Sequence, residues 1–333
     1  MRNKKFFLIT GGAGFIGSHT VDLLIKKNYK VRVIDNLSGG NLSNLKVHSR
    51  SHLLDFEKAD IKKLNPDNKI FKNIDYIIHY AGSGSIVPSI ERPNFYMQNN
   101  AFGTSKLLEA SVWNKISKFI YAASSSCYGI AKFPISENHR IQCEHPYAFS
   151  KYYGEQLVLH WSKVYRLNVK SLRIFNAFGP RLTTKGAYGT VFAVFMKQIL
   201  EKKPLTLVGS GNQKRDYVYV SDVAEAFIKS ALSESKSHIF NIGSGNPISI
   251  NKLIKILVGD KYKIVKLPNR PGEPHVTCAN ISRAKRELRW SPKVTFEKGV
   301  NEMLNNIEYW KDSPLWTKEK IGVATKTWFK YLG

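Results

Sequence analysis

Tyr147 and Lys151 stand four residues apart at the start of a stretch with helical character, Tyr147 to Tyr165, which puts both side chains on one helix face. A lysine ammonium beside a phenol favours the phenolate, so the tyrosine can act as a base closer to neutral pH than its free pKa of about 10 allows. Upstream, Ser124-Ser125-Ser126 follows the apolar strand pattern Phe119 to Ala122. A hydroxyl at that strand end could bridge a substrate oxygen and Tyr147. Taken alone, a tyrosine four residues before a lysine is common, so the chemistry has to be judged by what surrounds the pair.

The surroundings begin at Thr10-Gly11-Gly12-Ala13-Gly14-Phe15-Ile16-Gly17-Ser18. This loop follows the apolar run Phe6 to Ile9 and leads into Ile16 to Lys27, whose residues Ile16, Val21, Leu24 and Ile25 share a helix face. Gly11 permits the tight turn, Gly14 lets the backbone approach a pyrophosphate, and Gly17 lets the helix pack on the strand, with free N–H groups facing the phosphates. A second strand, Val31 to Ile34, ends in Asp35, about 20 residues past the glycines, where a carboxylate can bond an adenosine ribose. That carboxylate suits the free 2′-hydroxyl of NAD and repels a 2′-phosphate, so the expected cofactor is NAD.

Further strands, His52 to Leu54, Tyr76 to His79 and Val169 to Ile174, alternate with helical stretches such as Asn99 to Asn114. The alternation predicts a doubly wound parallel sheet, a Rossmann-type α/β fold. Asp60-Ile61 follows the third strand, where it either borders the adenine or caps the next helix. After Pro180 the texture changes to turn-rich runs, Lys185 to Gly189, Val208 to Gln213 and Asn241 to Pro247. The reading is an NAD-binding domain over residues 1–178 and a smaller C-terminal substrate-binding lobe over 179–333, with some segments returning to the first domain. The final stretch, Asn305 to Gly333, carries Trp310, Trp316, Trp328 and Tyr331, which argues for a packed tail.

The 333-residue chain is 43% hydrophobic and 12% aromatic, a globular balance with ample core. No apolar run approaches a membrane span and the glycine loop begins too early for a signal peptide, so a cytoplasmic protein without membrane partners is expected. Cys127, Cys143 and Cys278 are too few and scattered for a disulfide framework or a metal cluster. The net charge is +26, but the basic residues run along the whole chain without a dense arm, which reads as a solvated basic surface and not a nucleic-acid site. Such a field attracts doubly charged nucleotides.

Together these pieces resemble an extended short-chain dehydrogenase/reductase of the NAD-dependent epimerase/dehydratase family, close to the UDP-galactose and UDP-N-acetylglucosamine 4-epimerases. The matching residues are Gly11 to Gly17, Asp35-Asn36, Asp60-Ile61, His79 to Gly82, Asn99-Asn100, the serines, Tyr147 to Lys151, Arg173 to Pro180, Arg215 to Ala224, Arg270 to Glu273 and Arg286 to Trp290. The resemblance implies a UDP-sugar substrate and a homodimer built on Asn99 to Asn114 and Tyr147 to Tyr165. It implies Tyr147 as the base on the sugar 4-hydroxyl, Lys151 beside it on the nicotinamide ribose, and Ser124 with Ser126 on the 4-oxygen. Cofactor contacts would come from Gly11, Gly14, Phe15, Ile16, Gly17, Asp35, Asn36, Asp60, Ile61, Ala81 and Asn99, and substrate contacts from Asn176, Arg215, Arg270 and Thr277.

Sister reactions are told apart at the strand end. Related 4,6-dehydratases resemble a Thr-Asp-Glu-Val-Tyr-Gly pattern whose two carboxyl groups remove water; here Ser125 and Ser126 hold those places. The 3,5-epimerases and fucose synthases resemble a pattern with Cys and His where this chain has Ser126 and Arg181, and Cys127 reads as a packed thiol. Arg215 could instead pair with Asp216, and Arg173 and Arg181 read as structural or surface charges. The small Thr277 falls where relatives restricted to glucose and galactose resemble a Tyr, so an N-acetyl group could fit. The expected activity is 4-epimerisation of a UDP-hexose or UDP-N-acetylhexosamine for surface polysaccharide or glycan precursors. A 4,6-dehydratase, a UDP-glucuronate 4-epimerase and a non-catalytic NAD-binding or nucleic-acid-binding member are the alternatives.

Overall fold

The structure is a computed structural model that describes residues 5–182 and 190–333; the turn-rich run at Lys185 to Gly189 lies outside them. Its first part runs β1 (Phe6–Thr10), α1 (Phe15–Lys26), β2 (Lys30–Asp35), β3 (Leu54–Lys58), β4 (Tyr76–His79), α2 (Ile86–Glu91), α3 (Pro93–Met97), α4 (Gly103–Trp113), β5 (Lys118–Ser124), α5 (Pro146–Tyr165) and β6 (Val169–Ile174). It continues with β7 (Asn176–Phe178), α6 (Val191–Leu200), β8 (Leu205–Val208), β9 (Lys214–Tyr219), α7 (Val220–Leu232), β10 (Ile239–Ile242), β11 (Pro247–Ser249), α8 (Ile250–Val258), β12 (Ile264–Leu267), α9 (Ser282–Leu288), α10 (Phe296–Asn305), α11 (Lys318–Ala324) and α12 (Lys326–Leu332).

Seven parallel strands form the main sheet in the order β10-β6-β5-β4-β1-β2-β3. Both faces are covered, which is why β1 and β5 are buried at every position and read as continuous apolar runs. Val21 and Leu24 of α1 pack with Phe227 of α7 on one face, and Leu107 and Leu108 of α4 with Val158 of α5 on the other. The chain leaves β1 for β2 on one side and returns to β4 on the other, so a crevice opens at the carboxyl ends of these strands. The doubly wound parallel fold is as the sequence indicated.

One strand is displaced from its expected position. The segment at His52 to Leu54 pairs only from Leu54 onward, and β3 continues to Lys58 as the sheet's edge. Leu-Asp-Phe-Glu-Lys is half exposed there, a composition an edge strand tolerates and a search for apolar runs passes over. The helix at Asn99 to Asn114 is also modified at its start. A π-helical turn over Gln98–Phe102 leads into α4, and Gly103 sits so close to Ile61 that an added Cβ would lie 2.7 Å from Ile61 Cδ1.

A second, smaller set of elements follows β6. The sheet β11-β9-β7 and the pair β12-β8 pack with α6, α8 and α10 around an aromatic core that includes Phe178, Phe192, Tyr217, Phe296 and Trp310. β10 rejoins the main sheet beside β6, and α7 rejoins its face.

Candidate active site

The glycine loop is built for close approach. Gly11 takes φ +68, and a Cβ there would lie 2.7 Å from the Ala81 nitrogen; one on Gly17 would lie 2.2 Å from the Gly11 carbonyl oxygen. Gly14 caps α1 with extended backbone and no side chain of its own, leaving the first N–H groups of the helix to an anion. Ala81 is fixed by its N–H, which donates to Thr10 Oγ1 at 3.2 Å. This cradle, with Phe15 and Ile16 on the wall of the adjoining cleft, fits the pyrophosphate of a dinucleotide.

Asp35 is held by the loops around it. Its Oδ2 accepts from Ala13 N–H at 3.1 Å and its Oδ1 from Leu37 N–H at 2.8 Å, bonds that oppose the upward push of burial on its pKa. Each oxygen keeps a lone pair for a ribose hydroxyl. Asn36 turns back to accept from Ser38 N–H at 3.0 Å. Asp60 accepts from Lys62 N–H at 3.0 Å at the start of a 3₁₀ turn, so the capping alternative is realised, while Ile61 is buried against Gly103. Asn99 donates to Ser83 Oγ at 3.0 Å and accepts from Lys62 Nζ at 2.8 Å. Its neighbour Asn100 grips both backbone groups of Ser83 and donates to Ser150 Oγ, tying the loop after β4 to α5.

At the end of β5 the Ser124 hydroxyl donates to Ser126 Oγ at 3.1 Å and accepts from Ser126 N–H at 3.2 Å. Tyr147 sits in the first turn of α5, which Pro146 opens and His145 caps by accepting Ala148 N–H on Nδ1 at 3.1 Å. Its N–H donates to Ser89 Oγ of α2 at 3.0 Å, and its ring lies parallel to His145, centroids 5.9 Å apart. Burial pushes the Tyr147 hydroxyl up from its ordinary pKa, and a hydrogen bond with Ser124 pulls it back. The cation expected to lower it is not among these influences. Lys151 is itself buried, its Nζ 4.4 Å from the centroid of the Tyr121 ring, and burial lowers its pKa to about 7 against the pull of Glu155. The lowering of Tyr147 by Lys151 is therefore not a property of the protein alone, because a lysine this desolvated holds its own proton weakly.

The opposite end of the cleft carries the arginines. Arg215 donates to Glu273 Oε2 at 3.1 Å and to the Pro274 carbonyl at 2.8 Å, and Arg270 donates to Glu273 Oε1 at 3.1 Å. Arg215 does not pair with Asp216, which is buried and accepts N–H bonds from Ser244, Gly245 and Ala279. Thr277 Oγ1 accepts from Asp216 N–H at 3.2 Å and donates to Asn176 Oδ1 at 3.4 Å, joining two expected substrate residues. Arg173 and Arg181 are structural, paired with Glu155 at 2.6 Å and with Asp22 at 2.8 Å. Cys127 is buried and its thiol pushed up to about 12, a packed residue.

One cleft of about 720 Å³ joins the two ends, lined by Ser124, Ser126 and Tyr147 and by Asn176, Arg215, Arg270 and Thr277. Three further lining residues were not read as part of a site. His145, pulled down to about 4 by burial and so neutral, was signalled only by its cap position before a proline. Glu144 has its Oε1 buried without a protein partner, and Trp328 comes from the C-terminal helix.

A model of the GDP-mannose 4,6-dehydratase family matches residues 8–303. The chain belongs to this family of extended short-chain dehydrogenases/reductases. Among similar family members, a UDP-glucuronate 4-epimerase of Thermodesulfobacterium geofontis is 33% identical, the alignment covering 95% of this chain and 97% of that one. In structure the chain is similar to the UDP-N-acetylglucosamine 4-epimerase of Methanobrevibacter ruminantium M1, solved in complex with UDP-N-acetylmuramic acid, with a TM-score of 0.85, 33% identity and coverage of 91% and 99%. It is also similar to the UDP-glucuronic acid 4-epimerase of Bacillus cereus, solved with UDP-glucuronic acid and NAD, with a TM-score of 0.83, 32% identity and coverage of 92% and 99%.

Proposed function

We propose that the protein is an NAD-dependent nucleotide-sugar 4-epimerase acting on a UDP-hexose or UDP-N-acetylhexosamine. The observation that carries this reading is that Ser124 and Tyr147, one helical turn from the buried Lys151, line the same cleft as Arg215 and Arg270. Bound NAD supplies a hydride acceptor that returns the hydride, so the reaction has no net redox change. Tyr147 takes the proton of the sugar 4-hydroxyl and later restores it, while Ser124 and Ser126 hold the 4-oxygen. Lys151 steadies the nicotinamide ribose, and Asp35 the adenosine ribose. Arg215 and Arg270 take the diphosphate between fork-shaped donors, which requires Glu273 to share or release them. Inverting carbon 4 needs the 4-keto sugar to turn over inside the cleft.

The test is to incubate the purified protein with UDP-glucose, UDP-N-acetylglucosamine and UDP-glucuronate and to analyse products by mass spectrometry and NMR. A product of unchanged mass with carbon 4 inverted, lost in Tyr147→Phe, is expected. A product lighter by one water would establish the 4,6-dehydratase reading, which the family's description favours and which Ser125 and Ser126 disfavour. Turnover of UDP-glucuronate alone would establish a uronate 4-epimerase.

The reading extends to a cytoplasmic homodimer that makes precursors for surface polysaccharide. Among the described residues no helix is long and apolar enough to cross a membrane. Phe102, Phe149 and Tyr153, all exposed on the packed pair of the π turn and α5, supply apolar surface for a second copy.

A further inference from the structure

The family match ends at residue 303, and the chain beyond it is fastened back onto the molecule at successive points. Trp310 is fully buried and its Nε1 donates to the Leu182 carbonyl at 2.6 Å; Gln198 Nε2 donates to the Trp316 carbonyl at 2.7 Å; Ile321 is buried on α11. α12 then crosses to the rim of the cleft. There Trp328, 3% exposed, donates its Nε1–H to the Pro271 carbonyl at 2.8 Å, and its ring lies 5.6 Å from the Arg270 guanidinium. On its other side α12 packs against α2, and Thr327 Oγ1 donates to Glu91 at 3.3 Å. α2 is the helix whose Ser89 holds the Tyr147 N–H. A single short helix thus touches the backbone beside a diphosphate arginine and the element beside the tyrosine.

We propose that α12 is a strap across the substrate cleft and that Trp328 is a positioning residue for nucleotide-diphosphate binding. The indole face takes the Arg270 guanidinium without engaging its in-plane N–H donors, one of which meets Glu273, and so fixes the plane in which the guanidinium can meet phosphate, while the indole N–H pins the backbone next to that arginine. Holding a long, rotamer-rich side chain in place before the substrate arrives removes part of the ordering cost of binding. The strap also links the wall that carries Tyr147 to the lobe that carries the arginines, so the two ends of a bound UDP-sugar are kept in register. The proposal rests on the UDP-sugar reading of the site.

Calorimetric titration with UDP, which needs no turnover, separates the two. Wild-type protein is expected to bind UDP; if it does not, the UDP-sugar reading fails and the strap with it. Given wild-type binding, Trp328→Ala should weaken UDP about tenfold and raise KM for the turned-over UDP-sugar by a similar factor, with kcat changed less than threefold. In an Arg270→Ala background the same change should have no further effect on UDP affinity, because the arginine through which Trp328 acts is gone. Trp328→Phe keeps an aromatic face without the N–H and should give an intermediate loss. Wild-type UDP affinity in Trp328→Ala or, should that variant fold poorly, in Trp328→Phe would overturn the proposal, as would an equal weakening in the presence and absence of Arg270.

Discussion

Lys151 shows how far one buried charge departs from its ordinary chemistry. Its ammonium normally titrates near 10.5, and burial brings it to about 7. The unfolded chain therefore binds that proton more tightly, and stability rises with pH between these values, the penalty being complete below 7 and gone above 10.5. Lys151→Met should stabilise the cofactor-free protein in urea melts at pH 6 by roughly 1–2 kcal/mol, with the gain vanishing by about pH 10. A gain that is the same at both pH values would mean that packing, not charge, is the cause. Thr277 faces a different test, since its hydroxyl already joins Asp216 to Asn176 inside the cleft. Thr277→Tyr is expected to cut kcat/KM for UDP-N-acetylglucosamine by about 10–100-fold while UDP-glucose changes by less than about threefold. An equal fall for both sugars would show the residue to be a structural tie and not a gate on the sugar's size.

α5 does two things with successive turns. Its first turn presents Tyr147 to the cleft, the following turn buries Lys151 against the Tyr121 ring, and the next presents Glu155 to the sheet, where it receives Arg173 Nε at 3.0 Å and Ser171 Oγ at 2.7 Å from β6. Arg173 also donates to the Tyr128 hydroxyl at 2.8 Å, which donates in turn to Asn241 on β10. The helix that carries the reactive pair is thus locked to two strands by a buried charged network. Glu155→Gln leaves the Arg173 guanidinium without its counter-charge and should cost about 3–5 kcal/mol in denaturant unfolding. A cost under 1 kcal/mol would show that the amide and the tyrosine satisfy the arginine well enough. The sequence marked Arg173 as structural, but its partner lies 18 residues earlier and on another element, so nothing local revealed the pair.

At the scale of the molecule, the main sheet and the smaller lobe each own one end of the site. Ser124 and Tyr147 come from β5 and α5, Arg215 from β9, and Arg270 from the stretch after β12. The proposed dimer adds a second copy on the face opposite the sheet. Light scattering should give twice the 37.8 kDa chain mass. Phe149→Asp, which puts a charge on exposed apolar surface, should shift the protein to monomer at micromolar concentration. A monomer in the unsubstituted protein would refute the dimer without touching the reading of the cleft. The +26 charge belongs to this scale too, as a field that favours approach of anionic nucleotides and weakens with salt.

The glycine loop, the parallel sheet and the placing of Tyr147 and Lys151 on successive turns of α5 were legible in the chain because each depends on local spacing: a turn that only glycine fits, strands buried on both faces, and side chains one helical turn apart. The packed aromatic tail could be foreseen for Trp310 and Trp328, rings that are costly to leave in water, although Tyr331 stays exposed. Where those rings go could not, because Trp328 meets Arg270 only after the chain has folded back across the cleft. The same holds for Glu273 between two arginines, for Asp216 bonded to backbone in place of Arg215, and for burial that holds Lys151 near pH 7. Partners distant in sequence and the exclusion of water are properties of the packed molecule, and they decide which of the chain's reactive groups are charged, free or engaged.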